Sequence, residues 1–212
     1  TVQLSFQFPG ITNLTGYLVS ISIDGSTWET DKPLKTIMSA VLLSGDGEKK
    51  VYARIKDPAK NTLELVSAVI ILDQTSPNQV SVSINGGAEY TGQALVRLSV
   101  QASDEFGLAY MDFSSDGTSW CPLEPFAAQK DMELAQGLGD RTVHLRVVDK
   151  AGNSAFAQAT IILDESPPEI FYFRINNVSQ DAVSYVTNMN VGYTISAFDE
   201  GTNLSEISFG FN

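Results

Sequence analysis

The sequence repeats itself with a period of about 90 residues, and this period constrains the fold more than any other feature. The segment SIDGSTW at residues 22–28 returns as SSDGTSW at 114–120. The segment VYARIKDPAKN at 51–61 returns as VHLRVVDKAGN at 143–153, and both pairs are 92 residues apart. Internal similarity at one fixed interval predicts a tandem array of like modules.

A further pair of segments marks the module boundaries. ILDQTSP at 71–77 returns as ILDESPP at 162–168, and each copy carries proline, which restricts the backbone between modules. These positions predict a complete module at residues 74–164, a module lacking its first strand at 1–73, and the truncated start of a third at 165–212. We therefore expect the chain to be a window from a longer array.

Composition and charge favour folded modules and exclude two classes of partner. Hydrophobic residues make up 43% of the chain, and the net charge is −12 with a pI near 4.3. Nucleic acid is not an expected partner, because phosphate contacts need clustered Lys and Arg. Membrane insertion is not expected, because no apolar run approaches the roughly 20 residues that span a bilayer. The single cysteine excludes an internal disulfide.

Apolar and polar residues alternate through the complete module, which is typical of half-buried β-strands. Between these segments lie turn residues, among them Asp116-Gly117, which predicts a type I′ hairpin turn. Roughly seven short strands without helical periodicity predict an all-β fold of tandem Ig-like Greek-key β-sandwiches. The predicted core of the middle module comprises Phe113, Trp120, Val143, Leu145 and Val147.

The motifs DGTSW, VVDKAGN and IILDESPP together resemble the tandem Ig-like repeats of bacterial and archaeal surface and secreted proteins. The resemblance covers nearly the whole chain and is fullest at residues 74–168. It implies a part in stalks, adhesins, S-layers, or extracellular filaments and sheaths, and in some cases a spacer beside a secreted enzyme. One sandwich fold hosts many functions, so the motifs specify the module type rather than its task.

The residues that usually carry catalysis are sparse. His144 is the only histidine, and it alternates out of step with Val143 and Leu145, so we expect it to face solvent. A zinc site or a proton relay would need further histidines or thiolates. Cys121 has no histidine near it in the sequence and is interpreted as a free thiol. The chain is therefore predicted not to be an enzyme.

Acidic residues gather where one end of each sandwich is expected. In a Greek-key sandwich the second-to-third-strand loop, the last hairpin loop and the incoming linker share one end. Calcium requires about six to eight oxygen ligands, which such loops supply. The predicted ligands at the start of the middle module are Asp73, Asp104, Glu105, Asp149 and a backbone carbonyl of the linker or of the loop ending at Asn153. The partial set in the third module comprises Asp164, Glu165, Asp199 and Glu200.

Other interpretations remain open at this point. Each acidic loop can also be explained as a turn that needs no metal. An Asp side chain accepts hydrogen bonds from its own backbone, and Gly152 tolerates the left-handed conformation. Trp28 and Trp120 are expected in the cores. Exposure of either, or of Tyr90, would favour adhesin or carbohydrate-binding repeats instead. Spacer modules of a secreted hydrolase are the third possibility.

The preferred interpretation is an extracellular or cell-surface structural array in which calcium stiffens the joints. Copies of the chain are the expected partners, because unfinished end modules leave strand edges that a neighbour can cover. Ile207 and Phe209 in the third module are examples of side chains that would need such cover.

Overall fold

The computed structural model describes residues 1–212 except 67–68, 176–177, 180–184, 186–191, 203 and 209–212. Every regular element of the described chain is a β-strand, which confirms the all-β prediction. Within the same residues we find no helix long and apolar enough to cross a membrane. The chain divides into two compact units, Thr1–Thr75 and Ser76–Asn212.

The first unit is an antiparallel arrangement of short strands. Its described strands are β1 (Val2–Ser5), β2 (Leu18–Ser22), β3 (Lys32–Pro33), β4 (Ile37–Ala40), β5 (Gly47–Lys49), β6 (Tyr52–Lys56), β7 (Thr62–Val66) and β8 (Ile70–Leu72). Strands β3-β2-β6-β7 form one sheet, β1 pairs with β4, and β5 pairs with β8. The buried core comprises Val19, Ile21, Leu34, Ala40, Val51, Ala53 and Ile55.

The second unit contains a complete two-sheet sandwich. Its strands are β9 (Asn78–Ile84), β10 (Tyr90–Thr91), β11 (Leu95–Ser103), β12 (Leu108–Ser114), β13 (Glu124–Pro125), β14 (Gln129–Glu133), β15 (Gly139–Asp149) and β16 (Ser154–Leu163). One sheet has the order β14-β11-β9, and the facing sheet has the order β10-β16-β15-β12-β13. Strands β9 to β12 alternate between the two sheets, and β10 pairs with β16 in parallel, which is the Ig-like arrangement.

The core of this sandwich follows the predicted alternation. Val143, Leu145 and Val147 have no exposed surface, and Phe113 is 4% exposed. They pack with Leu98 and other aliphatic side chains of the facing sheet. Side chains on a strand alternate between faces, so the residues between them point outward. These core predictions are confirmed.

The predicted core positions of the two tryptophans are wrong. Both indoles are half-buried, and neither belongs to a core cluster. The N–H of Cys121 donates to the carbonyl oxygen of Phe113 at 2.9 Å, which aligns Cys121 with this core residue. The preceding side chain, Trp120, therefore points to the opposite, outer face of the sheet. Trp28 is at the matching place in the first unit.

The predicted type I′ turn is also wrong. Such a turn needs positive φ at both central residues, and only Gly117 has it, at 73°. The Asp116 carboxylate instead accepts hydrogen bonds from the N–H groups of Thr118 and Ser119, both at 2.7 Å. The Ser114 hydroxyl accepts from the Gly117 N–H at 2.9 Å. Side-chain acceptors thus hold a wider loop in place of a tight hairpin.

The second unit continues into the third repeat. Its strands are β17 (Glu169–Ile175), β18 (Val178–Ser179) and β19 (Tyr193–Phe198), in the order β18-β17-β19. Glu169 pairs with Phe198 as Asn78 of β9 pairs with Ser103 of β11, so β17 and β19 repeat the first two long strands of the sandwich. Ile207 is 54% exposed, and Phe209 lies outside the described residues.

Candidate functional site

Asp149 organises the loop between β15 and β16. Its Oδ1 accepts hydrogen bonds from the N–H groups of Ala151, Gly152 and Asn153, at 2.7–2.9 Å. Its Oδ2 accepts one from the side-chain amide of Asn153 at 2.9 Å. The carboxylate is 2% exposed and therefore holds the loop closed from inside. The turn chemistry expected of this loop is present.

Asp104 organises the neighbouring loop between β11 and β12 in the same way. Its Oδ1 accepts hydrogen bonds from the N–H groups of Phe106 and Gly107, both at 2.9 Å. The two loops are joined, because the N–H of Lys150 donates to the carbonyl oxygen of Gly107 at 3.0 Å. Carboxylate oxygens of Asp104 and Asp149 lie within 4.8 Å of each other. The structure thus brings these two predicted ligands together.

A basic side chain also lies at this pair of loops. A Cβ added to Gly107 would lie 2.9 Å from the ammonium nitrogen of Lys150. The Lys150 side chain therefore covers the backbone of the loop that Asp104 caps.

The first unit carries the same loop chemistry. Asp57 accepts hydrogen bonds from the N–H and the side-chain amide of Asn61, both at 2.8 Å, as Asp149 does from Asn153. Asp73, at the end of this unit, is 9% exposed, and its Oδ1 accepts from the N–H of Thr75 at 3.1 Å. Asp164, its counterpart in the second unit, is equally buried and accepts from the N–H of Ser166 at 3.0 Å.

Asp164 and Asp199 of the second predicted set lie together in the second unit. A Cβ added to Gly201 would lie only 2.3 Å from the Asp164 side chain, so this carboxylate rests against the glycine backbone. Asp199 Oδ1 accepts from the N–H of Thr202 at 2.8 Å. The pKa of Asp164 is lowered, chiefly because the Ser166 N–H donates to it and also through hydrogen bonds with Thr202 and Asp199. The structure thus brings Asp164 close to the loop that Asp199 caps.

The glutamates of the predicted sets behave differently from the aspartates. Glu105, Glu165 and Glu200 are exposed, whereas each follows an aspartate that is buried or half-buried. The aspartates serve as loop caps and so face the loop interior, and the next side chain in the sequence points away. The described geometry therefore assembles aspartates rather than Asp-Glu pairs.

The oxygen atoms at these loops are the type of ligand that hard cations prefer. They are carboxylates and backbone carbonyls on irregular loops, which calcium tolerates better than magnesium because its coordination number and geometry vary. Zinc prefers imidazole and thiolate, and neither His144 nor Cys121 belongs to these loops. Asp104 Oδ2 and the second lone pair of Asp149 Oδ2 are the acceptors that the loop bonds described above leave for a metal.

The sequence interpretation missed an outer-face arrangement that both repeats share. The guanidinium carbon of Arg146 lies 5.1 Å from the Trp120 ring centroid, and that of Arg54 lies 4.0 Å from the Trp28 centroid. Arginine over an indole ring is a favourable cation–π arrangement. The matching arginines at 92 residues' separation were the signal in the sequence that could have revealed it.

In the second unit this outer face forms an open groove of about 540 Å³. It is lined by Trp120, His144, Phe156 and Gln158, among others. The Phe156 ring is 60% exposed, and its centroid lies 5.8 Å from that of Trp120 at an interplanar angle of 59°. Tyr90 is 48% exposed elsewhere on this unit. Aromatic rings beside amide and imidazole groups offer both stacking and hydrogen bonding.

No family model matches this chain, and no curated protein matches it. Among solved structures it is similar to the fibronectin(III)-like modules of Clostridium thermocellum CbhA, with 14% identity, a TM-score of 0.46, and coverage of 69% of this chain and 77% of that one. It is similar to the PKD1 domain of Vibrio anguillarum Epp, with 17% identity, a TM-score of 0.33, and coverage of 43% and 96%. It is also similar to a tetra-tandem repeat in the extending region of a large adhesion protein, with 13% identity, a TM-score of 0.33, and coverage of 87% and 56%.

Proposed function

We propose that this chain is a structural segment of an extracellular or cell-surface protein, built as an array of Ig-like modules and without catalytic activity. The observation that carries the proposal is the repetition of one sandwich with the same loop caps and the same outer-face arginine–tryptophan pairs. Repetition of whole modules suits a rod, filament, sheath or surface layer, because such assemblies need length rather than a unique site. The partners are copies of the chain.

We further propose that calcium binds at the loop end of the modules. Asp104 and Asp149 supply carboxylates within 4.8 Å of each other, together with a carbonyl from the loop that ends at Asn153. At the third repeat, the proposed site uses Asp164 and Asp199, of which Asp199 is the counterpart of Asp104. Bound calcium neutralises like charges that the fold holds close, and it stabilises only the folded loops.

The repeat extends the same ligand role to Asp73. Asp73 stands in ILDQTSP where Asp164 stands in ILDESPP, and both are buried aspartates that accept an N–H two residues later. Asp164 lies against the loop of Asp199, which is the counterpart of Asp104. On this basis we assign Asp73 to the ligand set of Asp104 and Asp149. Glu105, Glu165 and Glu200 belong to the proposed sets as ligands that would have to turn inward on binding.

Titration calorimetry of the metal-free chain with calcium tests this proposal. We expect binding in the range of about 10⁻⁴ M, as for extracellular modules, and weaker binding of magnesium. Asp104→Asn removes a charge but keeps the Oδ1 acceptor for Phe106 and Gly107, so calcium binding should weaken roughly tenfold without loss of the loop. Asp116→Asn is the matched control and should bind calcium as the wild type does. Equal binding by all three proteins, or none by the wild type, would contradict the calcium sites.

A carbohydrate-binding function is a second candidate, favoured by the exposed ring of Phe156 beside Trp120. A pyranose ring could stack on Phe156 while Gln158 and His144 bond its hydroxyl groups. Affinity electrophoresis in gels containing soluble polysaccharides would detect this. Retardation of the wild type that Phe156→Ala abolishes would support glycan binding, and unchanged mobility in every gel would remove it.

A further inference from the structure

The loop between β1 and β2 of the first unit contains Asn13-Leu14-Thr15, which has the Asn-x-Ser/Thr pattern of an acceptor for N-linked glycans. Asn13 and Thr15 are exposed, whereas Leu14 between them packs against the core of the unit. The loop therefore presents both polar side chains of the pattern to solvent. The same pattern occurs at Asn177 and Asn203, and both of these asparagines lie outside the described residues.

The Asn13 side chain is held through its oxygen, and its nitrogen is open. Oδ1 accepts a hydrogen bond from the N–H of Thr15 at 2.9 Å, which forms an Asx turn. The N–H of Tyr17 donates to the carbonyl oxygen of Leu14 at 3.1 Å and closes the next turn. Within the described residues, no hydrogen bond engages Nδ2 of Asn13, the atom to which a glycan is attached. The loop is therefore ordered around an accessible acceptor nitrogen.

The counterpart loop of the second unit keeps this turn without the acceptor pattern. Strands β2 and β12 lead into the matching segments SIDGSTW and SSDGTSW, so the loops before them correspond. Asp104 caps its loop as Asn13 does, because each side chain accepts from the N–H two residues later. Gly16 and Gly107, three residues after these caps, both have positive φ, at 82° and 100°. An aspartate would cap the first loop equally well, so the cap alone does not explain the amide.

We propose that Asn13 is an attachment site for an N-linked glycan. Nδ2 attacks the anomeric carbon of a sugar carried on a lipid-linked diphosphate, and a C–N bond forms. The bond from that carbon to the diphosphate oxygen breaks, the diphosphate leaves with the electron pair, and Nδ2 gives its proton to a base of the transferase. The Thr15 hydroxyl is the part of the pattern that identifies this asparagine to the transferase. The attached glycan is bulky and hydrated, and it shields the exposed loop.

The inference rests on the extracellular location in the proposed function, because glycans of this kind are transferred to chains that enter or cross a membrane. Mass spectrometry of the natural protein from its own cells tests it. We expect the proteolytic peptide that carries Asn13 to have the added mass of sugar residues, with fragment ions that place this mass on Asn13. A peptide with unmodified Asn13 would overturn the proposal.

Two variants made in the same cells test the role of the hydroxyl. Thr15→Ala keeps Asn13 and the N–H that bonds its Oδ1, but it removes the hydroxyl, so the glycan should be lost. Thr15→Ser keeps the hydroxyl and should remain glycosylated. Equal glycosylation of both variants would contradict the acceptor pattern. Both variants, produced in a host without N-glycosylation, should unfold at the urea concentration of the wild type, because the Thr15 side chain is exposed.

A membrane-impermeant lysine reagent applied to the intact cells tests the location separately. We expect the natural protein to be labelled. A labelled protein with unmodified Asn13 would overturn the glycan while the extracellular location stands. An unlabelled protein with unmodified Asn13 would overturn both.

Discussion

Arg146 holds the buried carboxylate of Asp112 through two hydrogen bonds, one of them from Nε to Oδ1 at 2.8 Å. Asp112 is 1% exposed, and the pKa of Arg146 is raised, chiefly by these hydrogen bonds. In the first unit, the corresponding arginine has a different carboxylate partner. Ser20 stands in place of Asp112, and the counterpart Arg54 bonds Glu64 on the next strand.

This exchange between repeats predicts a compensating pair of substitutions. Asp112→Ser should destabilise the second unit by about 1–3 kcal/mol, because Arg146 loses its acceptor. Phe156 lies opposite Arg146 as Glu64 lies opposite Arg54, so adding Phe156→Glu should restore much of the loss. Urea unfolding followed by Trp120 fluorescence in a Trp28→Phe background measures this. If the double variant is no more stable than Asp112→Ser alone, a glutamate at position 156 does not replace Asp112 as the acceptor for Arg146.

The Asp116 loop predicts a pH dependence of stability. The pKa of Asp116 is lowered from its ordinary 3.8, because the N–H groups of Ser119 and Thr118 donate to the carboxylate. A carboxylate with a lowered folded-state pKa stabilises the fold above 3.8, and this stabilisation is lost as the pH falls toward the folded-state value. The amide in Asp116→Asn does not titrate. The stability difference between wild type and this variant should therefore shrink below pH 3.8, as urea unfolding at stepped pH would show. A constant difference would contradict it.

Gly201 predicts a steric limit on the third repeat. A Cβ there would lie 2.3 Å from the Asp164 side chain, so Gly201→Ala must displace that carboxylate from the Ser166 N–H. We expect destabilisation of about 1–3 kcal/mol. Gly92→Ala is the matched control, because its Cβ would meet the Asp164 carbonyl oxygen at an ordinary 3.6 Å. Urea unfolding should find the control within about 0.5 kcal/mol of wild type, and equal losses would contradict the close approach.

The sequence predicted the parts of the fold that follow from local periodicity. Leu145 and Val147 are buried as their alternation demands, and the turn at Asp149 closes as its residue types suggest. Trp120 was misassigned because its face depends on how many residues the preceding loop contains. That length follows from the side-chain acceptors Ser114 and Asp116, which a dipeptide turn rule does not include.

For the candidate site, topology predicted the meeting of Asp104 with Asp149 but not the direction of each side chain. Glu105 points away because Asp104 already caps the loop. The position of Lys150 over Gly107 could not be predicted from the sequence either. A long flexible side chain can reach several neighbours, and which one it contacts depends on the folded structure.

Thermal unfolding with calcium and with a chelator, on the wild type and on Asp104→Ala, tests the central proposal most directly. Trp120 fluorescence in a Trp28→Phe background reports the second unit. If calcium binds the folded loops alone, saturating calcium should raise the wild-type midpoint by roughly 5–10 °C over the chelated sample. Asp104→Ala should show a clearly smaller rise, because it loses one of the two proposed sites in this unit. Melting curves that calcium leaves unchanged in the wild type, or shifts equally in both proteins, would contradict calcium at the module ends.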